Sequence, residues 1–340
     1  IHGSPTCEIF FDNTPCQIIG ERQRGLVTYV MSLMNGARIE IAAQSVGIAE
    51  AAFRVARDYA ASRKQFGVAI EKLPAVRDML IDMKIAIEAG RALLYETSRI
   101  VDISIGLTKR LEFNLPADKE GAKLLKNESR KYDRYAGLLT PMSKYYCSEM
   151  CNTIAYNAIQ VLGGSGYMRD YACERHARDA RITTIYEGTS QLQVVAAVRG
   201  VCSGTAEKLF AEMAQQSYDP KLEGLLKKLA EGTEQLKSVV AFVKENGNEY
   251  MDLYGRALVD IAIDLINGYL FCGQAGTATD MKTISEDGDE IAVKERKAVI
   301  AQRYISRNAP KIAFLAEVIR SRDKSTFTDY PILIGPVSSE

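Results

Sequence analysis

A single carboxylate, Glu187, stands out near the middle of the chain because glycine and two hydroxyl residues follow it directly. Thr189 or Ser190 can cap the helix that an apolar pattern predicts from Leu192 onward. Glu187 precedes that cap, so its side chain is not needed to begin the helix. A carboxylate on a glycine-flanked turn at a helix N-terminus can face a cavity and act as a general base. An exposed loop glutamate is the alternative that these residues leave open.

A second candidate is the run Arg63-Lys64-Gln65-Phe66-Gly67, which places cationic and amide donors beside an aromatic ring at a predicted helix end. Such a set suits a pyrophosphate or a planar ring. The alternative is a charged helix terminus with Phe66 packed into the core.

A third candidate is the glycine-rich run from Gln160 to Gly166, where the backbone can approach a ligand closely. It matches neither the dinucleotide fingerprint nor the P-loop pattern. A plain helix C-terminal turn is the alternative.

Two further stretches carry isolated charge. Arg38, three residues after Asn35, begins an apolar and alanine-rich helical pattern, so its charge needs a carboxylate or an anionic ligand. The segment 174–181 mixes both signs, which is typical of a solvated or salt-bridged segment. We interpret His176 within it as structural, since no nucleophile is near it in sequence.

Composition excludes several classes of protein. The 340 residues contain 43 basic and 43 acidic side chains, which argues against nucleic-acid or anionic-membrane binding. The apolar runs are shorter than the ~20 residues of a membrane span. Seven scattered cysteines and two histidines predict buried free thiols and no metal site.

Hydrophobic periodicity predicts the elements that position these residues. Residues 6–11 and 16–19 read as strands, and helical patterns follow at about 26–61, after Pro74, at 141–162 and at 190–201. The lysine-rich stretch 103–135 is interpreted as a loop or loosely packed excursion. These helices predict an up-down bundle. Further helices are expected at about 205–216, 220–246, 248–280 and 287–322, with the polar stretch 280–290 before the last and a coil tail from 323.

The combined motifs resemble the acyl-CoA dehydrogenase flavoprotein family. The resemblance runs from Arg38 through the 59–67 segment and the 160–164 segment to the turn at 185–190, in the family's order. It implies a mainly α fold. That fold comprises the end of the middle β domain at 1–25, the C-terminal four-helix bundle at 26–203, and an additional helical domain at 204–340.

The resemblance implies roles for the residues that match the family's motifs. Glu187 matches the base that removes the α-proton of an acyl-CoA thioester, while hydride passes to FAD. Because Ala37 stands where some members place their base, the competing position is empty. The substrate-binding positions are Asn35, Arg38, Tyr186 and Gly188. The FAD-binding positions are Arg63, Gln65, Phe66, Gln160, Gly163, Gly164, Thr189 and Gln191, of which the first three contact the flavin of a neighbouring subunit.

The resemblance also sets expectations for the whole protein. We expect a homo-oligomer, dimer or tetramer, with electron-transfer flavoprotein as electron acceptor. A cytoplasmic location in a bacterium is expected, with the mitochondrial matrix as the alternative. An acyl-CoA oxidase on the same scaffold and a non-catalytic helical or nucleic-acid-binding relative remain alternatives.

The chain begins in what reads as the middle of a sheet. We therefore expect a fragment without the family's amino-terminal helical domain and most of its β domain. Such a fragment is expected to bind FAD weakly or not at all and not to turn over alone.

Overall fold

The chain is helical over most of its length. The computed structural model describes residues 5–277, 279, 281–284 and 290–336. Residues 5–24 form neither helix nor strand, and a π-helical segment, Gly25–Val30, follows. The strands predicted at 6–11 and 16–19 are therefore wrong, because two short segments without partner strands cannot bury a sheet face. Residues 1–4 of the predicted β tail lie outside the described residues.

The first two long helices are joined by a tight hairpin. Helix α1 covers Met31–Ser62 and α2 covers Pro74–Phe113. Between them, strand β1 (Lys64–Gln65) pairs antiparallel with β2 (Val68–Ala69), and a 3-10 turn leads into α2. Proline at the first position of α2 costs no hydrogen bond there. The hairpin therefore exposes the Arg63–Gly67 run at one end of α1.

Helix α3 is longer than the sequence predicts. It covers Lys119–Leu162, and Asp118 caps it by accepting a hydrogen bond from the amide of Gly121 (2.6 Å). The interpretation of 103–135 as a loop is wrong: α2 and α3 fill that stretch except for residues 114–118. Lys119, Lys123 and Lys126 are exposed on the solvent side of α3, while Leu125 and Tyr135 are buried in its apolar stripe.

The three long helices pack together around one core, and α5 (Cys173–Ile182) packs on α1 and α3. Alanines of α1 allow the close approach, with Ala42, Ala49, Ala52 and Ala56 fully buried. The single turn α4 (Gly164–Tyr167) and helix α6 (Ser190–Cys202) complete this part of the chain, and α6 has the bounds that the sequence predicts. The prediction of a helical bundle is confirmed.

The chain divides into two compact units, Ile1–Ala197 and Val198–Glu340. The second unit contains α7 (Thr205–Ala214), α8 (Glu223–Asn246), α9 (Asn248–Gly276) and α10 (Val293–Arg320), close to the predicted helices. Strand β3 (Lys282–Ile284) pairs with β4 (Glu290–Ala292); the rest of the predicted polar stretch, residues 280 and 285–289, lies outside the described residues. The tail is not all coil, since it forms α11 (Ser325–Thr328) and α12 (Tyr330–Ile334).

Helices α8, α9 and α10 pack on one another to form the core of the second unit. By length and composition α9 alone among the described helices could cross a membrane, which the sequence prediction did not anticipate. Most of its apolar surface is buried inside the protein, as in a core helix. Its buried Asp264 accepts hydrogen bonds from Tyr304 (3.1 Å) and Lys311 (2.9 Å).

Candidate active site

The turn that carries Glu187 has an unusual backbone. Glu187 has φ +54° and Gly188 has φ +90°, so two consecutive residues occupy the left-handed region. A non-glycine residue in this region costs about 1–2 kcal/mol, and such strain clusters at functional sites. The turn ends where Thr189 caps α6, its hydroxyl accepting from the amide of Leu192 (3.4 Å), as the sequence predicts.

Arg38 lies beside this turn. Its side chain is buried (8% exposed), and its Nη1 donates to the side-chain oxygen of Asn35 (3.0 Å). Burial lowers the pKa of Arg38, and the negative charge of nearby Glu187 opposes that shift. The Nε of Arg38 is buried without a hydrogen-bond partner among the described residues. Arg38 therefore has a carboxylate neighbour, Glu187, as its charge in an apolar helix requires. Its Nε can still donate a hydrogen bond to a ligand.

Two residues that sequence reasoning missed hold the turn. The Nζ of Lys144, on α3, donates to the carbonyl of Gly188 (2.8 Å). The side-chain amide of Gln193, on α6, donates to the carbonyls of Glu187 (3.2 Å) and Gly188 (3.1 Å). The signal for Lys144 is its place in the apolar stripe of α3, in line with buried Thr140, Cys147 and Cys151.

The remaining predicted residues of this region lie around the turn. The hydroxyl of Tyr186 donates to the side-chain oxygen of Gln44 on α1, a partner that the sequence did not indicate. Burial raises the pKa of Tyr186. Gln191 is exposed on the first turn of α6. Asn35, Arg38, Tyr186, Glu187 and Gly188, the predicted catalytic and substrate-binding set, are thus brought together.

A cavity of about 680 Å³ adjoins Arg38. Its walls include Asn35 and Arg38 from α1, Thr108 and Lys109 from the end of α2, and Pro141 from α3. The cavity is large enough for a sizeable organic ligand.

The predicted flavin-binding residues of the 63–66 and 160–164 segments lie at a second place, where the end of α1 meets the turn after α3. Arg63 lines an open cleft of about 500 Å³ together with Tyr59, Ser165 and Tyr171. The hydroxyl of Tyr59 donates to that of Ser165 (3.4 Å), which joins the end of α1 to the turn after Gly163 and Gly164. Tyr59, Ser165 and Tyr171 were not predicted.

The residues at this second place suit FAD. Gln65 and Phe66 are exposed at the hairpin tip, the ring being 90% exposed, and Gln160 is exposed at the end of α3. Gly163 has φ +62°, and a Cβ built on it or on Gly164 would meet nothing within 4 Å, so the backbone is open to a ligand. A guanidinium, amides and an open ring fit a pyrophosphate and a planar ring system.

The two places lie at different ends of α1. Arg38 and Arg63 are 25 residues apart, which corresponds to roughly 37 Å at 1.5 Å per residue. One chain therefore presents Glu187 and Arg63 to different regions of space.

Other candidates have structural surroundings. His176 is half-buried on α5, where burial and Arg175 lower its pKa. All seven cysteines are free; Cys7 and Cys16 are exposed, contrary to prediction, and the other five are buried. Within the described ranges, no group of three or more His, Cys, Asp and Glu side chains is arranged to hold a metal ion.

Two family models match the chain. "Acyl-CoA dehydrogenase, C-terminal domain" matches residues 24–105 and 119–202, and "Acyl-CoA dehydrogenase C terminal" matches residues 202–300. The stretch between the two parts of the first match contains the end of α2 and the loop to α3.

Curated relatives that match the chain carry the same family name as these two models. The probable acyl-CoA dehydrogenase FadE25 of Mycobacterium tuberculosis is 35% identical over 204 residues, which is 59% of this chain and 45% of the relative. The short-chain specific acyl-CoA dehydrogenase of Clostridium acetobutylicum is 34% identical over 196 residues, covering 57% and 44%. The chain therefore spans less than half the length of these relatives.

Solved structures share the fold. ACDH-11 of Caenorhabditis elegans has a TM-score of 0.66 at 20% identity, covering 90% of this chain and 50% of that one. An acyl-CoA dehydrogenase complexed with FAD from Bacillus anthracis has a TM-score of 0.64 at 20% identity, covering 88% and 51%.

Fold and matches together define a class, the helical domains of a flavoprotein oxidoreductase. The chain belongs to the acyl-CoA dehydrogenase family.

Proposed function

We propose that this chain supplies the base, Glu187, for α,β-dehydrogenation of an acyl-CoA thioester to the enoyl-CoA. One observation carries the proposal: Glu187 lies on a strained turn beside the buried Arg38, and both turn carbonyls are fixed by buried side chains. The family membership supplies the reaction type.

The residues of this chain suggest how the proton is removed. The carboxylate of Glu187 takes the α-proton of the thioester, and the electron pair of that C–H bond forms the new double bond as hydride leaves the β-carbon. Bound FAD would accept that hydride. Asn35 holds the guanidinium of Arg38, whose unpartnered Nε is a donor for the substrate. Gly188 bears no side chain, and a Cβ there would lie 2.7 Å from the side-chain nitrogen of Gln193, so the turn requires glycine at this position.

We assign the cavity of about 680 Å³ beside Arg38 to part of the CoA ester. The residues that would hold FAD belong to the second place and to the turn: Arg63, Gln65, Phe66, Gln160, Gly163, Gly164, Thr189 and Gln191. Because the two places are roughly 37 Å apart along α1, one flavin would join residues of two copies, which favours a homo-oligomer.

Electron-transfer flavoprotein is the proposed acceptor of the electrons from the reduced enzyme. One relative, 34% identical over 175 residues, is named as a subunit of a caffeyl-CoA reductase-Etf complex from Acetobacterium woodii. The distinction from an oxidase rests on the acceptor, so a reduced enzyme that reacts slowly with oxygen and rapidly with electron-transfer flavoprotein supports this assignment.

The base is tested by Glu187→Gln in the enzyme as its gene encodes it, assayed on a panel of acyl-CoA esters. The amide keeps the shape of the side chain but cannot accept the proton, so kcat/KM should fall by roughly 10²- to 10⁴-fold. Glu120→Gln, at the exposed start of α3, is the matched control and should leave it unchanged. Full activity in Glu187→Gln would refute the proposed base.

A further inference from the structure

Lys144 is a buried cation at the centre of α3. Its side chain is 0% exposed, and its hydrogen bond goes to a neutral carbonyl, that of Gly188. Lysine is almost never fully buried unless its charge is paired. A packing role alone would be served better by an apolar side chain of the same length, so the ammonium group requires another explanation.

Charges of both signs face Lys144. Arg38 approaches from α1, Glu149 lies on α3, and Glu187 lies on the turn before α6. Burial and the charge of Arg38 lower the pKa of Lys144 to about 8, while Glu149 and Glu187 oppose the shift. Lys144 therefore belongs to the same electrostatic group as the proposed base and the proposed substrate-binding arginine.

The hydrogen bonds of the turn show what Lys144 holds. The carbonyl of Gly188 accepts from Lys144 on α3 and from Gln193 on α6, and Gln193 also reaches the carbonyl of Glu187. Glu187 is a non-glycine residue with positive φ, and the hydrogen bonds from Lys144 and Gln193 offset the conformational cost of the turn. The direction in which the Glu187 side chain leaves the turn thus depends on these two donors.

We propose that Lys144 is a positioning residue for the dehydrogenation, which orients the carboxylate of Glu187 by holding the carbonyl of Gly188. The inference rests on the proposed function of Glu187. It assigns Lys144 no contact with the substrate: the lysine acts through the backbone of the turn.

The test compares Lys144→Met with Lys126→Met, an exposed position on the same helix, in the enzyme as its gene encodes it. Single-turnover reduction of the enzyme by acyl-CoA gives the rate of the bond-breaking step and the substrate Kd separately. We expect Lys144→Met to slow that step by roughly 10- to 100-fold, because small misplacement of a reacting group has effects of this size. The Kd should change by less than about threefold, and Lys126→Met should match the wild type.

A purely structural lysine would give a different result. Loss of folded protein would lower the amplitude of the single turnover and leave its rate constant unchanged. Gln193→Met, which removes the second donor to the same carbonyl, should reproduce the slow rate constant and covers the case in which Lys144→Met does not fold. A wild-type rate constant in Lys144→Met, or in Gln193→Met should the first variant not fold, would overturn the inference.

The proposed function and this inference fail separately. An active Glu187→Gln enzyme removes the base and with it the role of Lys144. An inactive Glu187→Gln together with a wild-type rate constant in Lys144→Met removes only the role of Lys144.

Discussion

At the level of single residues, the site combines one carboxylate with two buried cations. Arg38 and Lys144 flank the turn of Glu187, and burial lowers the pKa of both. The charge of Glu187 in turn opposes both of these shifts, so the three side chains form one electrostatic group at the turn.

The buried lysine should make stability depend on pH. The pKa of Lys144 falls from 10.5 to about 8 on folding, so between these pH values the unfolded chain binds more protons than the folded chain. Stability from this group therefore rises as pH increases from about 8 to 10.5, and its protonation cost is fully present below pH 8. At 1.36 kcal/mol per pKa unit, the rise is at most roughly 3 kcal/mol.

Urea unfolding of the wild type and Lys144→Met between pH 7 and 11 measures this linkage. The difference in free energy of unfolding between the two proteins should increase across that window in favour of the wild type. Lys126→Met, at an exposed position of the same helix, is the control. A flat difference for Lys144→Met would mean that the lysine titrates alike in both states.

Residue types indicated only part of this site. Glu187 and Arg38 are unusual in their local sequence, a carboxylate before a cap and a charge in an alanine-rich helix, so both could be recognised from neighbours alone. Lys144 and Gln193 owe their place to partners that depend on the tertiary fold: Lys144 is 44 positions from the glycine whose carbonyl it holds. Sequence spacing carries no information about such contacts.

At the level of elements, periodicity and apolar content predict the helices of the second unit well, because α8 and α10 each bury one apolar face and α9 is apolar and buried on all sides over its central turns. It fails at the junction of α2 and α3. There the helices extend beyond the packed core, and lysine-rich turns without a wide apolar stripe resemble a loop. The Asp118 cap was the signal that marked the true beginning of α3.

The close packing of α8 on α9 depends on a glycine. A Cβ at Gly268 would lie 2.5 Å from Cδ2 of Leu229 and 3.4 Å from Cγ1 of Ile305. Gly268→Ala should therefore destabilise the protein by about 1–3 kcal/mol through overpacking. Gly273→Ala on the same helix meets nothing within 4 Å and should be neutral or stabilise by roughly 0.5–1 kcal/mol.

Both variants are measured by urea unfolding followed by helical circular dichroism. Equal effects of the two substitutions would contradict the packing that places Gly268 against Leu229.

At the level of the whole molecule, the chain has balanced charge and two helical units. A balanced charge provides no long-range electrostatic attraction, so partners of such a protein bind to particular sites. The proposed flavin site is the feature that one copy cannot complete. Glu187 and Arg38 lie toward one end of α1, and Arg63, with the exposed ring of Phe66, lies at the other. A second copy that places its Arg63 near the first copy's Glu187 resolves the separation, and we expect at least a dimer in sedimentation.

Complementation between inactive variants tests this arrangement. Glu187→Gln and Arg63→Ala should each abolish activity alone. In a mixed dimer, one site receives the intact Glu187 of one copy and the intact Arg63 of the other. With random pairing half the dimers are mixed and each has one intact site, so co-expression should restore about a quarter of wild-type activity.

A pair of variants from the same place provides the control. Glu187→Gln with Arg38→Ala should give no recovery, since every site of the mixed dimer then lacks one of the two groups. No recovery in the Glu187 and Arg63 pair would place both groups in a site formed by one copy. Recovery in the control pair would contradict the arrangement in which Glu187 and Arg38 share one site of one copy. Recovery in the test pair alone follows only when the flavin lies between two chains, because roughly 37 Å of helix separates the two arginines within one.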